Sequence, residues 1–175
     1  MNRLIAIITG TTAAFLALGV VVGGALAQQK QQVSFSTPAD NTKYTEKTET
    51  FDLGDVPDHV LRVFEVHRVY PNNAPVINGM KIVESWTRGT GDRIDGVGPL
   101  SQYVVFVMEN GDKVFARMDG VVDGSEKGSA TIAGRITGGT GKLAGIQGFV
   151  REVVNFEVKT GFNQNRTDIE YSVGK

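Results

Sequence analysis

The 175-residue chain contains no cysteine. That excludes a disulfide framework, thiolate metal sites, Fe–S clusters and a cysteine nucleophile, and it leaves the polypeptide without a redox carrier of its own. An excess of charge of one sign is missing too, since 18 Lys and Arg stand against 19 Asp and Glu for a formal net charge of −1. A chain so nearly neutral has no electrostatic means of capturing nucleic acid or an acidic membrane. Proline is scarce at 5 residues, and the 2 histidines are His59 and His67. Against these absences stand 22 glycines and a 41% hydrophobic share, enough for one domain of this size to bury a core without staples.

The one long apolar run comes first. Met1–Arg3 is a short basic region, Leu4–Gly24 carries no charge, and Ala25-Leu26-Ala27 places small residues where signal peptidase requires them. Residues 1–27 therefore read as a signal peptide, with cleavage leaving 148 residues from Gln28, or as an uncleaved anchor of about the length that spans a bilayer. The mature product of cleavage is periplasmic or secreted, and membrane contact comes only through an uncleaved leader. Residues 28–50 are polar and rich in glutamine, with Val33, Phe35 and Tyr44 as their few hydrophobic residues, and read as a flexible tether. The remainder, 51–175, is the folded domain.

Within that domain no stretch keeps a 3.6-residue period over three turns. Runs 61–70, 81–88, 102–108, 113–122, 129–137, 149–159 and 167–173 are instead rich in Val, Ile, Phe and Thr and are punctuated by Gly, Asn and Asp. Asn110-Gly111 between two of them is a hairpin signal, because both residues tolerate the positive φ that such a turn requires. Thr167, Ile169, Tyr171 and Val173 alternate with polar residues, as one dry and one wet face demand. Val104–Met108 is apolar throughout and reads as a strand buried on both sides. Seven or eight antiparallel strands suggest a closed barrel or a sandwich, and a barrel of that count leaves room for one small ligand.

Alternation along His59–Tyr70 puts His59, Leu61, Val63, Glu65, His67 and Val69 on one face and Val60, Arg62, Phe64, Val66, Arg68 and Tyr70 on the other. Neither is plainly the dry one. If the first face lines a lumen, Glu65 and His67 form an acid/base pair among Leu61 and Val63, because burial and mutual attraction bring both groups into the working range near neutral pH. The alternative is an ordinary ion pair on a strand face. Trp86 lines a cavity or closes the core, and Phe106 lies in the apolar run and is a candidate ligand contact. No metal is implied: eight residues of continuous strand separate the two histidines by about 26 Å. No cofactor is implied either. Asn165-Arg166-Thr167 matches a glycosylation sequon.

The run Ile136-Thr137-Gly138-Gly139-Thr140-Gly141-Lys142 is not a phosphate loop, since Ile136 stands where glycine is required and Leu143 where Ser or Thr is required. A turn between strands fits better, with Gly145 and Gly148 at positions where strands bend or backbones approach. Extended to Gly148, this stretch resembles the glycine-rich hallmark of the allene oxide cyclase and dirigent-like barrels. Phe64-Glu65-Val66-His67 with the later Pro75 is similar to the first barrel strand of the cyclases. The resemblance covers about residues 58–173 and implies an all-β, eight-stranded antiparallel barrel of calycin type, often trimeric, around an apolar lumen. It implies that Glu65 is the cavity carboxylate and that Pro75 belongs to a loop over the pocket mouth.

Three functions follow as expectations. The first is an exported barrel that binds a small apolar or amphipathic molecule in its lumen. The second is a cofactor-free cyclase or isomerase in which Glu65 and His67 act on the ligand while Leu61, Val63 and their neighbours fix its shape. The third is a structural barrel without a ligand. A homo-oligomer, trimer or dimer, is compatible with all three.

Overall fold

The computed structural model describes residues 30–174. The expected leader with its cleavage site after Ala27 lies outside the described residues. Within them the chain is all-β and contains no α-helix. The strands are β1 Gln31–Thr37, β2 Thr42–Asp52, β3 His59–Val69, β4 Val76–Ile77, β5 Met80–Ile94, β6 Gly98–Met108, β7 Lys113–Asp123, β8 Lys127–Gly139, β9 Ile146–Glu157 and β10 Phe162–Val173. All pairings are antiparallel, in the order β1-β10-β9-β8-β7-β6-β5-β3-β2, with β4 added beside β5. Each of the seven runs read as strands corresponds to one of β3 and β5–β10, with 61–70 passing the end of β3 by one residue and 149–159 passing the end of β9 by two. At Asn110-Gly111 the chain turns from β6 into β7, with Gly111 at φ 87° and its N–H donating to the Met108 carbonyl at 2.9 Å.

The sheet curls into a half-barrel and does not close as the expected eight-stranded barrel. The reason is the path of the N-terminal segment. β1 pairs with β10 as far as Thr37↔Asn165, the chain then crosses through Pro38 and the 3-10 turn Ala39–Asn41, and β2 pairs with β3 from Thr42↔Arg68 onward. Each half of the segment engages one edge of the sheet, so no ladder joins β1 to β2. Side chains bridge the seam instead. Phe35 of β1 packs edge-on against Tyr70 beyond β3, with ring centroids 5.7 Å apart, and Arg68 of β3 donates to Asn163 of β10.

Strand formation at 31–37 and 42–52 replaces the tether expected over most of residues 28–50. Its polar composition hides a period of two: Val33 and Phe35 turn inward against the core, Thr37 is fully buried, and Gln31 on the same face accepts from the Tyr171 hydroxyl at 2.7 Å, while Gln32, Ser34 and Ser36 face out. The expectation for Val104–Met108 is corrected as well, because Val104, Phe106 and Met108 are buried whereas Val105 and Val107 are only half-buried.

The concave face carries the core. Its fully buried members include Ile77, Ile82, Met108, Val114, Met118, Ile146 and Ile169. One end of the half-barrel is stopped by the 3-10 turn Gly141–Leu143, whose Leu143 is inaccessible to solvent. Gly141 has φ 52°, and a Cβ there would lie 2.0 Å from Asp112 Oδ1. That carboxylate accepts the Lys142 N–H at 3.0 Å. The amide that a phosphate loop would offer to an anion is thus taken by the protein's own acid, as a turn between strands requires.

Candidate functional site: an interior cavity over a buried polar cluster

Opposite the Leu143 end, the concave face encloses a cavity of about 50 Å³. It is lined by Arg62, Phe64, Val66 and Arg68 of β3, Thr87 and Arg93 of β5, Leu100 and Gln102 of β6, Val122 of β7, Ala130 and Ile132 of β8, Glu152, Val154 and Phe156 of β9, and Asn163 of β10. The apolar members form most of its wall. A space of this size exceeds what a single water needs, roughly 10–15 Å³, and its polar lining lies at the neck, with Arg62 and Arg93, and on the side of Glu152.

That polar side is a buried cluster centred on Glu152, which is 6% exposed. Its Oε2 accepts from Gln102 Nε2 at 3.1 Å, its Oε1 accepts from Asn165 Nδ2, and Arg68 Nη1 stands 3.8 Å from Oε1. Arg68, 3% exposed, donates from Nη2 to Asn163 Oδ1 at 2.8 Å, and Asn165 Nδ2 also reaches Thr167 Oγ1 at 3.1 Å. Charges taken this far from water persist only when paired and hydrogen-bonded, and four strands supply the partners here. Arg68 Nε, however, has no hydrogen-bond partner among the described residues. Near the cluster, burial pushes the Tyr70 phenol above its ordinary pKa, opposed by its hydrogen bond with Ser85 at 3.1 Å.

The cavity opens outward past Arg62 and Arg93, which also line an open vestibule of about 1040 Å³. Register explains how they meet: Arg62 lies opposite Gly91 and Arg93 opposite Val60, so the two arginines are diagonal neighbours on one face of adjacent strands. Gly91 leaves the space that the Arg93 side chain uses, since a Cβ there would lie 3.1 Å from Arg93 Nε. Beside the vestibule His59 is held between two acids, Nδ1 at 2.6 Å from Asp55 and Nε2 at 2.8 Å from Asp92. The hydrogen bonds to Asp92 and then to Asp55 hold its pKa above the usual imidazole value, while His59 in turn holds Asp55 below the usual carboxylate value.

None of the seven residues selected from the sequence lines this cavity. Glu65 and His67 lie on the opposite, outer face with Leu61 and Val63, so they do not form an acid/base pair in the lumen. Glu65 pairs with Arg88, His67 Nε2 lies 2.8 Å from Glu84, and the His67 and Trp86 rings stack at 3.9 Å with 11° between planes. The Arg88 guanidinium covers the Trp86 ring at 5.2 Å. Trp86 thus neither lines the cavity nor closes the core; it is a rung of an outer ladder across β3 and β5. Pro75 is buried at the end away from the vestibule, where its carbonyl accepts the Ile82 N–H at 2.8 Å, and Phe106 is 3% exposed within the core. The sequon asparagine, Asn165, is 3% exposed and committed to Glu152.

The inward face of β3 is the one with Phe64 and Val66, and its two arginines are accommodated by acceptors that arrive from distant strands. A signal for those acceptors exists in the sequence. The dry alternation Val150, Val154, Phe156 passes through Glu152, and the dry series Thr167, Ile169, Tyr171 extends backward through Asn165 and Asn163. An acid and two amides at dry positions mark a buried polar cluster.

Fold and site together define an antiparallel half-barrel with an interior cavity, apolar in its walls and polar at its base. Comparison of the chain with protein-family models, with curated proteins and with solved structures finds no match.

Proposed function

We propose that the protein is an exported binding protein that holds one small amphipathic molecule inside its half-barrel. The observation that carries this reading is a cavity lined by Phe64, Val66, Ile132, Val154 and Phe156 together with Arg68 and Glu152, which shares Arg62 and Arg93 with the open vestibule. Apolar walls with a few convergent polar groups are the usual make-up of small-molecule sites. The likeness to allene oxide cyclases agrees with a ligand-holding barrel, but a cyclase reaction is not part of the proposal: Glu65 and His67, on which it would rest, lie on the face away from the cavity.

Native mass spectrometry of the protein purified from its own host tests the reading. The wild type is expected to carry a reproducible small-molecule adduct. Ala130→Leu, which extends a side chain into the cavity from a position 5% exposed, is expected to lose it while remaining folded. A wild type that is reproducibly empty, or an adduct indifferent to Ala130→Leu, contradicts it.

A further inference from the structure

We infer that the bound molecule is a small aliphatic alcohol whose hydroxyl is held by Thr87 and Gln102 on the cavity wall. This rests on the proposed interior binding and adds the class of ligand. Thr87 of β5 and Gln102 of β6 both line the cavity and are 3% and 4% exposed. Gln102 lies opposite Gly89 and Thr87 opposite Val104, so the two are diagonal neighbours on the concave face, a spacing at which one small group can touch both side chains. The Gln102 amide nitrogen is committed: it donates to Glu152 Oε2 at 3.1 Å and lies 3.9 Å from Met118 Sδ. Its Oε1 accepts from no described residue, and the Thr87 hydroxyl has no hydrogen-bond partner among the described residues either. Polar atoms held this far from water are costly until they are bonded.

The two oxygens differ in what they require. Gln102 Oε1 can only accept, whereas the Thr87 hydroxyl can donate as well. A ligand hydroxyl meets both needs with one atom, giving its hydrogen to Oε1 and accepting from Thr87. An ether or carbonyl oxygen answers Thr87 alone, and a carboxylate has no hydrogen for Oε1 and brings a second negative charge toward Glu152. Apolar surface adjoins the pair: Gly89 stands between Phe64 and Gln102 in one cross-strand row, and a Cβ there would lie 2.7 Å from Phe64 Cζ and 2.9 Å from Gln102 Cβ. The alkyl chain is received by Phe64, with Leu100 and Ile132 in the same lining.

1-Hexanol, its isomer methyl pentyl ether and hexanoate have similar lengths and differ in their heads, so isothermal titration of the protein with each separates the claims. Two hydrogen bonds of ordinary strength predict that the wild type binds hexanol about tenfold or more tightly than the ether, and more tightly than hexanoate. Thr87→Val keeps the shape and removes a hydroxyl without a protein partner, so it is expected to stay folded, to bind the ether within about twofold of the wild type and to lose most of the preference for hexanol. Equal binding of hexanol and ether, tighter binding of hexanoate, or a preference for hexanol that survives intact in Thr87→Val overturns the hydroxyl inference and leaves interior binding standing. Failure of the wild type to bind any of the three probes overturns the interior-binding reading, and this inference with it.

Discussion

The Arg68 guanidinium donates to Asn163 Oδ1 at 2.8 Å, joining β3 to β10 across the seam that no backbone ladder closes. Glu152 of β9 supplies the countercharge 3.8 Å away. One buried arginine therefore ties together the two flanks of an open sheet and forms the base of the cavity. The polar cluster is structural and a lining of the site at once.

Removing one member of such a pair leaves the other buried and unpaired, which costs about 3–5 kcal/mol. Arg68→Met is expected to lower stability by that amount in urea unfolding. Arg68→Met combined with Glu152→Leu is expected to recover part of the loss, because no uncompensated charge then remains. A single variant as stable as the wild type contradicts the role given to the pair.

His59 makes stability depend on pH in a definite direction. Its folded pKa lies above the ordinary 6.5, so its contribution is complete below about pH 6.5 and fades as pH rises through the folded value. The Asp55 carboxyl lies below its ordinary 3.8, so its contribution is present above that and is lost in acid. Chemical denaturation from pH 4 to 9 should show the His59-linked contribution in the lower part of that range, and His59→Gln should flatten the fall toward alkaline pH. A fall unchanged in His59→Gln contradicts the assignment.

The outer ladder should be separable from binding. Glu65→Gln and His67→Ala remove cross-strand contacts of the outer face, in which the Glu65 and His67 side chains are 13% and 16% exposed, worth about 1 kcal/mol each. Both variants are expected to bind 1-hexanol within twofold of the wild type, by titration. A large loss of binding in either would return the site to the outer face.

Gly148→Ala tests how closely β9 and β10 approach. A Cβ at Gly148 would lie 2.1 Å from the Glu170 carbonyl and 2.8 Å from Tyr171 Cα, both backbone atoms that cannot rotate away. Overpacking of this kind costs about 1–3 kcal/mol, and the strand pair must shift to accommodate it. A melting temperature equal to that of the wild type would contradict the geometry.

The strands of the sheet were legible where Val, Ile, Phe and Thr run together, and the hairpin at Asn110-Gly111 was legible from its two residues. β1 was not, because the glutamines around Val33, Phe35 and Thr37 obscure a dry face that exists only once β10 pairs with it. The face of β3 was undecidable from its own residues: Glu65 and His67 on one side balance Arg62 and Arg68 on the other. What settles it is Asn163, 95 residues from Arg68 in sequence, together with Glu152. Local pattern reveals periodicity, whereas the choice of buried face depends on partners brought by the topology. The same dependence explains why the all-β, antiparallel character of the chain was legible while the open half-barrel, in place of a closed eight-stranded barrel, and the outward side of Glu65 were not.

The central claim is that the interior of the half-barrel is the binding site, and chemical-shift mapping with 1-hexanol addresses it most directly. The account predicts saturable shifts concentrated at Phe64, Val66, Leu100, Ile132 and Val154, with outer-face Val63, Tyr103 and Val121 unmoved. Shifts confined to those outer residues, or none at saturating probe, would contradict it.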